Sequence, residues 1–122
     1  MSDPLALVIE DDDGVAQAYA DVLQAAGFTT EIARDGRAAL QRLVALTPAL
    51  VVLDMNLPLV SGAEILRYLR ADARLSRTRV IVTTGEPQKV GAFEKDADLV
   101  LIKPVSVEQL SMFAARLRPD AD

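Results

Sequence analysis

Neither cysteine nor histidine occurs among the 122 residues. Their absence excludes disulfides, zinc or haem sites built from the usual ligands, and Ser-His-Asp or Cys-His nucleophiles. Acid–base chemistry is left to carboxylates, lysine and hydroxyls. No apolar run approaches the roughly 18 residues that a membrane helix needs. The start Met1-Ser2-Asp3-Pro4 lacks the basic region of a signal peptide. A cytoplasmic protein with no membrane contact is therefore expected. Positive charge is also in deficit, with 13 Lys and Arg against 18 Asp and Glu, a net charge of −5. A field of that sign repels phosphate backbones and anionic lipid, so no direct nucleic-acid binding is expected.

What is present is an apolar content of 51%, enough for one core in a chain of this length. A single domain spanning 1–122 is expected, because a second does not fit. No low-complexity segment or linker interrupts the chain, and short apolar runs alternate with stretches of helical period. Leu5–Ile9, Phe28–Ala33, Leu50–Leu53, Val80–Thr83 and Leu99–Ile102 read as strands, most of them rich in Val, Ile and Leu as strands buried on both faces are. Between them Val15/Tyr19/Val22/Leu23/Ala26, Leu40/Leu43/Val44, Ile65/Leu66/Leu69 and Leu110/Phe113/Leu117 recur at helical spacing. Ser106 followed by Gln109 forms a capping box, and Gly27 marks the end of the first helix. A fourth helix, short and weakly signalled, falls within Pro87–Phe93.

Strands joined by helical crossovers run parallel, and such crossovers are right-handed. The expected fold is α/β, a three-layer (βα)5 sandwich. The common orders for five such units include the flavodoxin-like 2-1-3-4-5, whose ligand crevice lies outside the carboxyl ends of strands 1 and 3.

At that edge the first strand ends in Glu10-Asp11-Asp12-Asp13 and the third in Leu53-Asp54. Helix capping accounts for one or two of the four acids. In the flavodoxin-like order Glu10, Asp11 and Asp54 converge, and three packed carboxylates repel one another unless a cation sits among them. Magnesium, which prefers oxygen ligands and is held by a few carboxylates with phosphate oxygens, matches such a cluster. The fourth strand brings Thr83-Thr84-Gly85 to the same edge, and the fifth brings Lys103-Pro104. A carboxylate nucleophile, a divalent ion, a lysine and a hydroxyl are the parts that phosphoryl transfer needs.

At these residues the chain resembles the CheY-like receiver domains of response regulators over nearly its whole length. Leu7-Val8-Ile9-Glu10-Asp11 is similar to the receiver's acidic pair, and Val52-Leu53-Asp54-Met55-Asn56-Leu57-Pro58 to its phosphoacceptor segment. Ser61-Gly62 is similar to the turn that follows, and Val82-Thr83-Thr84-Gly85 and Ile102-Lys103-Pro104 supply the rest. The resemblance implies Asp54 as phosphoacceptor, with Asp11 and Asp54 as direct magnesium ligands, Glu10 acting through water, and the Asn56 carbonyl completing the protein ligands. It implies that Thr84, which precedes the small Gly85, bonds one phosphoryl oxygen and that Lys103 pairs with another. Asp12 and Asp13 fall to helix capping. It further implies a cis Lys103–Pro104 bond, and a short-lived phosphoryl group tuned by Asn56 and Glu86. The implied function is a signalling switch of a two-component system or phosphorelay. A histidine kinase or histidine phosphotransfer protein donates from phosphohistidine, the chain catalyses only its own phosphorylation and dephosphorylation, and protein contacts downstream change. No output domain is expected. Two features depart from the family: the interval from Thr84 to Lys103 is short, and the aromatic expected three residues before the lysine is Val100.

Two other classes fit less well. A phosphatase of the haloacid dehalogenase type needs a second Asp two residues after its nucleophile to protonate the leaving group, and Asn56 stands there. A flavodoxin-like ligand-binding module needs a first loop rich in Gly, Ser or Thr to face a phosphate, and Glu10-Asp11-Asp12-Asp13 stands there.

Overall fold

The computed structural model describes residues 3–119. Strands β1 (Leu5–Ile9), β2 (Thr29–Ala33), β3 (Leu50–Asp54), β4 (Arg79–Thr84) and β5 (Leu99–Ile102) form one parallel sheet in the order β2-β1-β3-β4-β5. Helices α1 (Asp13–Ala25), α2 (Gly36–Ala45), α3 (Gly62–Ala71), α4 (Val90–Phe93) and α5 (Val107–Leu117) connect them. This is the expected flavodoxin-like sandwich. Among the described residues no helix is long and apolar enough to cross a membrane.

Side chains alternate across a strand, so each strand feeds both faces of the sheet. Leu7, Ile9, Val51, Leu53, Val80 and Val82 join α2 and α3 in one buried cluster, which holds Leu43, Ile65 and Leu69. Ala6, Val8, Leu50, Val52 and Ile81 join α1 and α5 in the other, which holds Tyr19, Leu23 and Leu110. Burial on both faces is why the strand sequences read as continuous apolar runs.

Four helices begin at side-chain caps, each satisfying an otherwise free N–H of the first turn. Asp12 accepts from Val15, Asp35 from Ala38, Ser61 from Glu64 and Ser106 from Gln109. The short α4 has no such cap and buries no residue; only Phe93 of its turn leans on the first cluster.

Three expectations need correction. Phe28 lies outside β2: its N–H donates to Leu23 O at 3.0 Å and closes α1 around Gly27, whose φ is 99°. Val44 is 68% exposed, because α2 faces the sheet with Gly36, Ala39 and Leu43. On α1 the buried stripe is Ala16/Tyr19/Ala20/Leu23, and Val15, Val22 and Ala26 only flank it.

Candidate functional site

Each acid reaches the carboxyl edge because the backbone ladder carries it there. Glu10 follows β1 and donates its N–H to Ala33 O at 3.0 Å, and Asp54 ends β3 opposite Thr83. Glu10, Asp11 and Asp54 each place a carboxylate oxygen within 4.8 Å of the others. Glu10 and Asp54 are each only 2% exposed, whereas Asp11 faces solvent. Of the two acids expected to cap α1, only one does. Asp12 caps α1, and Asp13 lies in its first turn and pairs with Arg34.

Lys103 enters from β5, its N–H donating to Thr84 O at 2.8 Å, and the Lys103–Pro104 bond is cis, as the family resemblance implied. Its Nζ lies 2.9 Å from Asp54 Oδ1 and 3.7 Å from Glu10 Oε1. The first contact is a charge-assisted hydrogen bond; the second is too long for one. Asp54 Oδ1 also accepts from the Asn56 N–H at 3.0 Å. Asn56 itself is exposed in the loop after β3.

Of the paired threonines, both are buried. Thr84 Oγ1 accepts from the Glu86 N–H at 3.1 Å, which leaves its own proton to donate, whereas Thr83 Oγ1 has no partner. Alternation along β4 puts the two hydroxyls on opposite faces.

The electrostatics are those of acids short of positive charge. Burial raises the Glu10 carboxyl to about 7, with the Asp54 charge adding to the rise. The Asp12 N–H and the Lys103 ammonium work against it. Burial alone lowers the Lys103 ammonium, but its bond to Asp54 and the charges of Asp54, Glu10 and Asp11 outweigh this, and it ends above its usual 10.5. Glu10 Oε1 is buried without a hydrogen-bond partner. An orphaned anionic oxygen beside two further carboxylates is what an oxygen-seeking divalent cation satisfies, so the residues present fit magnesium.

Tyr19 was legible only as a core residue. Burial, with the charges of Glu10 and Asp54, raises its phenol to about 12, so it meets the acids as a neutral group. Its position nine residues after Glu10, on the sheet-facing side of α1, was the available signal.

A doubly wound parallel sheet with an acidic pocket at its switch point is thus the class that fold and site define. A family model described as response regulator receiver domain matches residues 6–114. The DNA-binding response regulator MtrA of Mycolicibacterium smegmatis is 35% identical over 117 residues, 95% of this chain and 51% of MtrA. The DNA-binding dual master transcriptional regulator RpaA of Synechocystis is 34% identical over 110 residues, 88% of this chain and 46% of RpaA. The chemotaxis response regulator CheY4 of Vibrio cholerae superposes with a TM-score of 0.86 at 27% identity, covering 95% of this chain and 99% of that one. The chain belongs to the response regulator receiver family. It spans about half the length of the curated relatives it matches.

These relatives overturn one expectation. Net charge argued against direct nucleic-acid binding, yet MtrA and RpaA are both named DNA-binding. The net charge of this stretch bears only on the matched residues, and about half of each of those relatives lies outside them.

Proposed function

We propose that this chain accepts a phosphoryl group on Asp54 from the phosphohistidine of a histidine kinase or histidine phosphotransfer protein. The histidine P–N bond breaks as a P–O bond to the Asp54 carboxylate forms, and the donor histidine leaves neutral after taking up a proton. The carrying observation is the convergence of Glu10, Asp11 and Asp54 within 4.8 Å, with the Lys103 ammonium 2.9 Å from Asp54. Such an arrangement positions a nucleophile and neutralises charge on the transferred group, which is most of what phosphoryl transfer asks of a protein.

Glu10, Asp11, Asp54 and the Asn56 carbonyl are the residues that would hold Mg2+. When bound, the ion supplies positive charge to the transferred oxygens. Lys103 keeps its proton over the ordinary pH range and pairs with one phosphoryl oxygen. Thr84 donates its free hydroxyl proton to another. The Asn56 N–H holds the Asp54 carboxylate in place. The result is a switch that alters protein contacts downstream, and the naming of MtrA and RpaA as DNA-binding supports an output in a DNA-binding regulator.

Incubation with acetyl phosphate, followed by mass spectrometry, tests this reading. One phosphoryl adduct is expected with magnesium and none in excess chelator. An equal yield of adduct in Asp54→Asn, or in chelator, overturns it.

A further inference from the structure

The opposite edge of the sheet carries the opposite charge. There the loops leading into β1, β3, β4 and β5 and the end of α5 line an open depression of about 1130 Å³. Among the described residues, seven of the chain's 13 basic residues line it, against two acids, Asp96 and Asp98. A chain of net charge −5 has therefore gathered more than half of its cations at one end of its strands.

The fold itself uses four of the seven. Arg70 donates to Asp96 O at 2.7 Å and Thr78 O at 2.9 Å, and pairs with Asp98 at 3.2 Å. Arg74 holds Leu46 O and the Thr47 hydroxyl, both at 2.7 Å, together with the Leu43 carbonyl. Arg79 pairs with the other Asp98 oxygen at 3.1 Å. Arg118 reaches Gly27 O at 3.3 Å and Asp3 at 4.0 Å.

Arg77, Lys95 and Arg116 are different. All three are exposed, and none forms an ion pair among the described residues. Arg116 lies in the last turn of α5, where the helix dipole favours a cation. Arg77 and Lys95 lie between elements, where no dipole accounts for them.

We propose that this depression binds a multiply charged phosphate anion, either free polyphosphate or the phosphodiester backbone of a nucleic acid. Guanidinium forks match phosphate oxygens two at a time, which favours phosphate over a diffuse anion. Among the described residues the lining contains no aromatic side chain to stack a base, so recognition is by charge and not by sequence. Strands of this length, at about 3.3 Å per residue, keep the depression roughly 15 Å or more from Asp54. Anion binding there does not depend on the chemistry at Asp54.

Binding of inorganic tripolyphosphate and of a short DNA duplex, each followed in magnesium-free buffer by calorimetry, tests it. At least one probe is expected to bind saturably, with affinity falling as salt rises from about 50 to 200 mM. The combined Arg77→Ala, Lys95→Ala and Arg116→Ala variant should bind roughly tenfold more weakly or worse, since it loses three cations that can neutralise phosphate charge. Its phosphorylation by acetyl phosphate should match the parent, which reports an intact fold. Binding of tripolyphosphate alone identifies a free polyphosphate as the source, and binding of the duplex identifies the backbone. Failure of both probes to bind, or equal binding by the triple variant, overturns the proposal.

Discussion

Lys103 Nζ lies 2.9 Å from Asp54 Oδ1 and 3.7 Å from Glu10 Oε1, so one ammonium joins the ends of β5, β3 and β1. Both acids are buried, whereas the lysine side chain is 32% exposed. Breaking a fully buried pair costs about 3–5 kcal/mol, and solvent access at the lysine lowers that figure. Lys103→Met is therefore expected to destabilise the metal-free protein by about 1–3 kcal/mol. Because the two groups touch, adding Asp54→Asn should cost less than the sum of the single changes. Urea unfolding in chelator reads both effects. An unchanged midpoint in Lys103→Met would show that the ammonium does not hold the edge together.

The same edge gives stability a pH dependence. Glu10 is raised from 4.5 to about 7, foremost by burial. A carboxyl that holds its proton more tightly when folded contributes stability that is complete below its unfolded value and lost as pH rises through the folded one. Lys103, also raised, contributes below 10.5 and loses its effect only above that. In chelator, Tm should therefore fall between about pH 5 and pH 8. Magnesium should flatten or reverse that slope, since it competes with the proton for the same oxygens. A Tm that climbs over this window in chelator would contradict the Glu10 assignment.

The carboxyl edge was legible in the sequence because polar residues there interrupt apolar runs: Glu10 after Ile9, Asp54 after Leu53, Lys103 after Ile102. The flavodoxin-like order, one of the common ones for five such units, placed those residues together. Buried alanines were not legible. Ala16, Ala20 and Ala39 add little to a hydrophobic pattern yet sit where helices approach the sheet. The larger Val15, Val22 and Val44 drew attention away from them. The basic edge was hidden for a different reason. Its cations are scattered from Arg70 to Arg118 among acids, so composition reported a net negative chain while the fold separated the signs.

Two glycines predict opposite outcomes. A Cβ on Gly62 would meet Met55 Cα at 2.6 Å and Asp54 O at 2.8 Å, and backbone there cannot move without shifting the phosphoacceptor loop. Gly62→Ala should destabilise by about 2 kcal/mol or more and slow phosphorylation by acetyl phosphate. Gly91, in α4, has nothing within 4 Å of the same position. Gly91→Ala should stabilise by about 0.5–1 kcal/mol through helix propensity. Thermal unfolding of the pair decides, and equal effects would discount the packing around Gly62.

Asn56 and Glu86 lie two residues beyond Asp54 and Thr84 in the chain. Both are exposed, and their N–H groups bond Asp54 Oδ1 and Thr84 Oγ1. Polar side chains there can hold an attacking water. Asn56→Met and Glu86→Leu should each slow loss of the phosphoryl group, followed by mass spectrometry after donor removal. Unchanged decay in both would remove water positioning from this pair.

Phosphorylation should act most on the segment that the fold anchors least. Val100 stands beside Val82 in the β4–β5 ladder, half-buried where the family resemblance implies an exchanging aromatic. A β-branched side chain is held at χ1 and has little area to trade between buried and exposed positions. Strand 5 therefore offers no large swinging group. The stretch after β4 is different. Pro87–Lys89 forms one 3-10 turn and Val90–Phe93 one α turn, with no buried residue in either and no side-chain cap. A Cβ added at Gly85 or Gly91 would meet nothing within 4 Å. Few buried contacts mean a low opening energy. Thr84 joins this segment to the site, because its hydroxyl accepts the Glu86 N–H while its carbonyl accepts the Lys103 N–H. A phosphoryl oxygen that draws the Thr84 hydroxyl toward Asp54 pulls on the Glu86 end of the segment. Hydrogen exchange with and without beryllofluoride, a phosphoryl mimic, should show protection changing across Gly85–Phe93. A change confined to β5 and α5, with Gly85–Phe93 constant, would place the relay elsewhere.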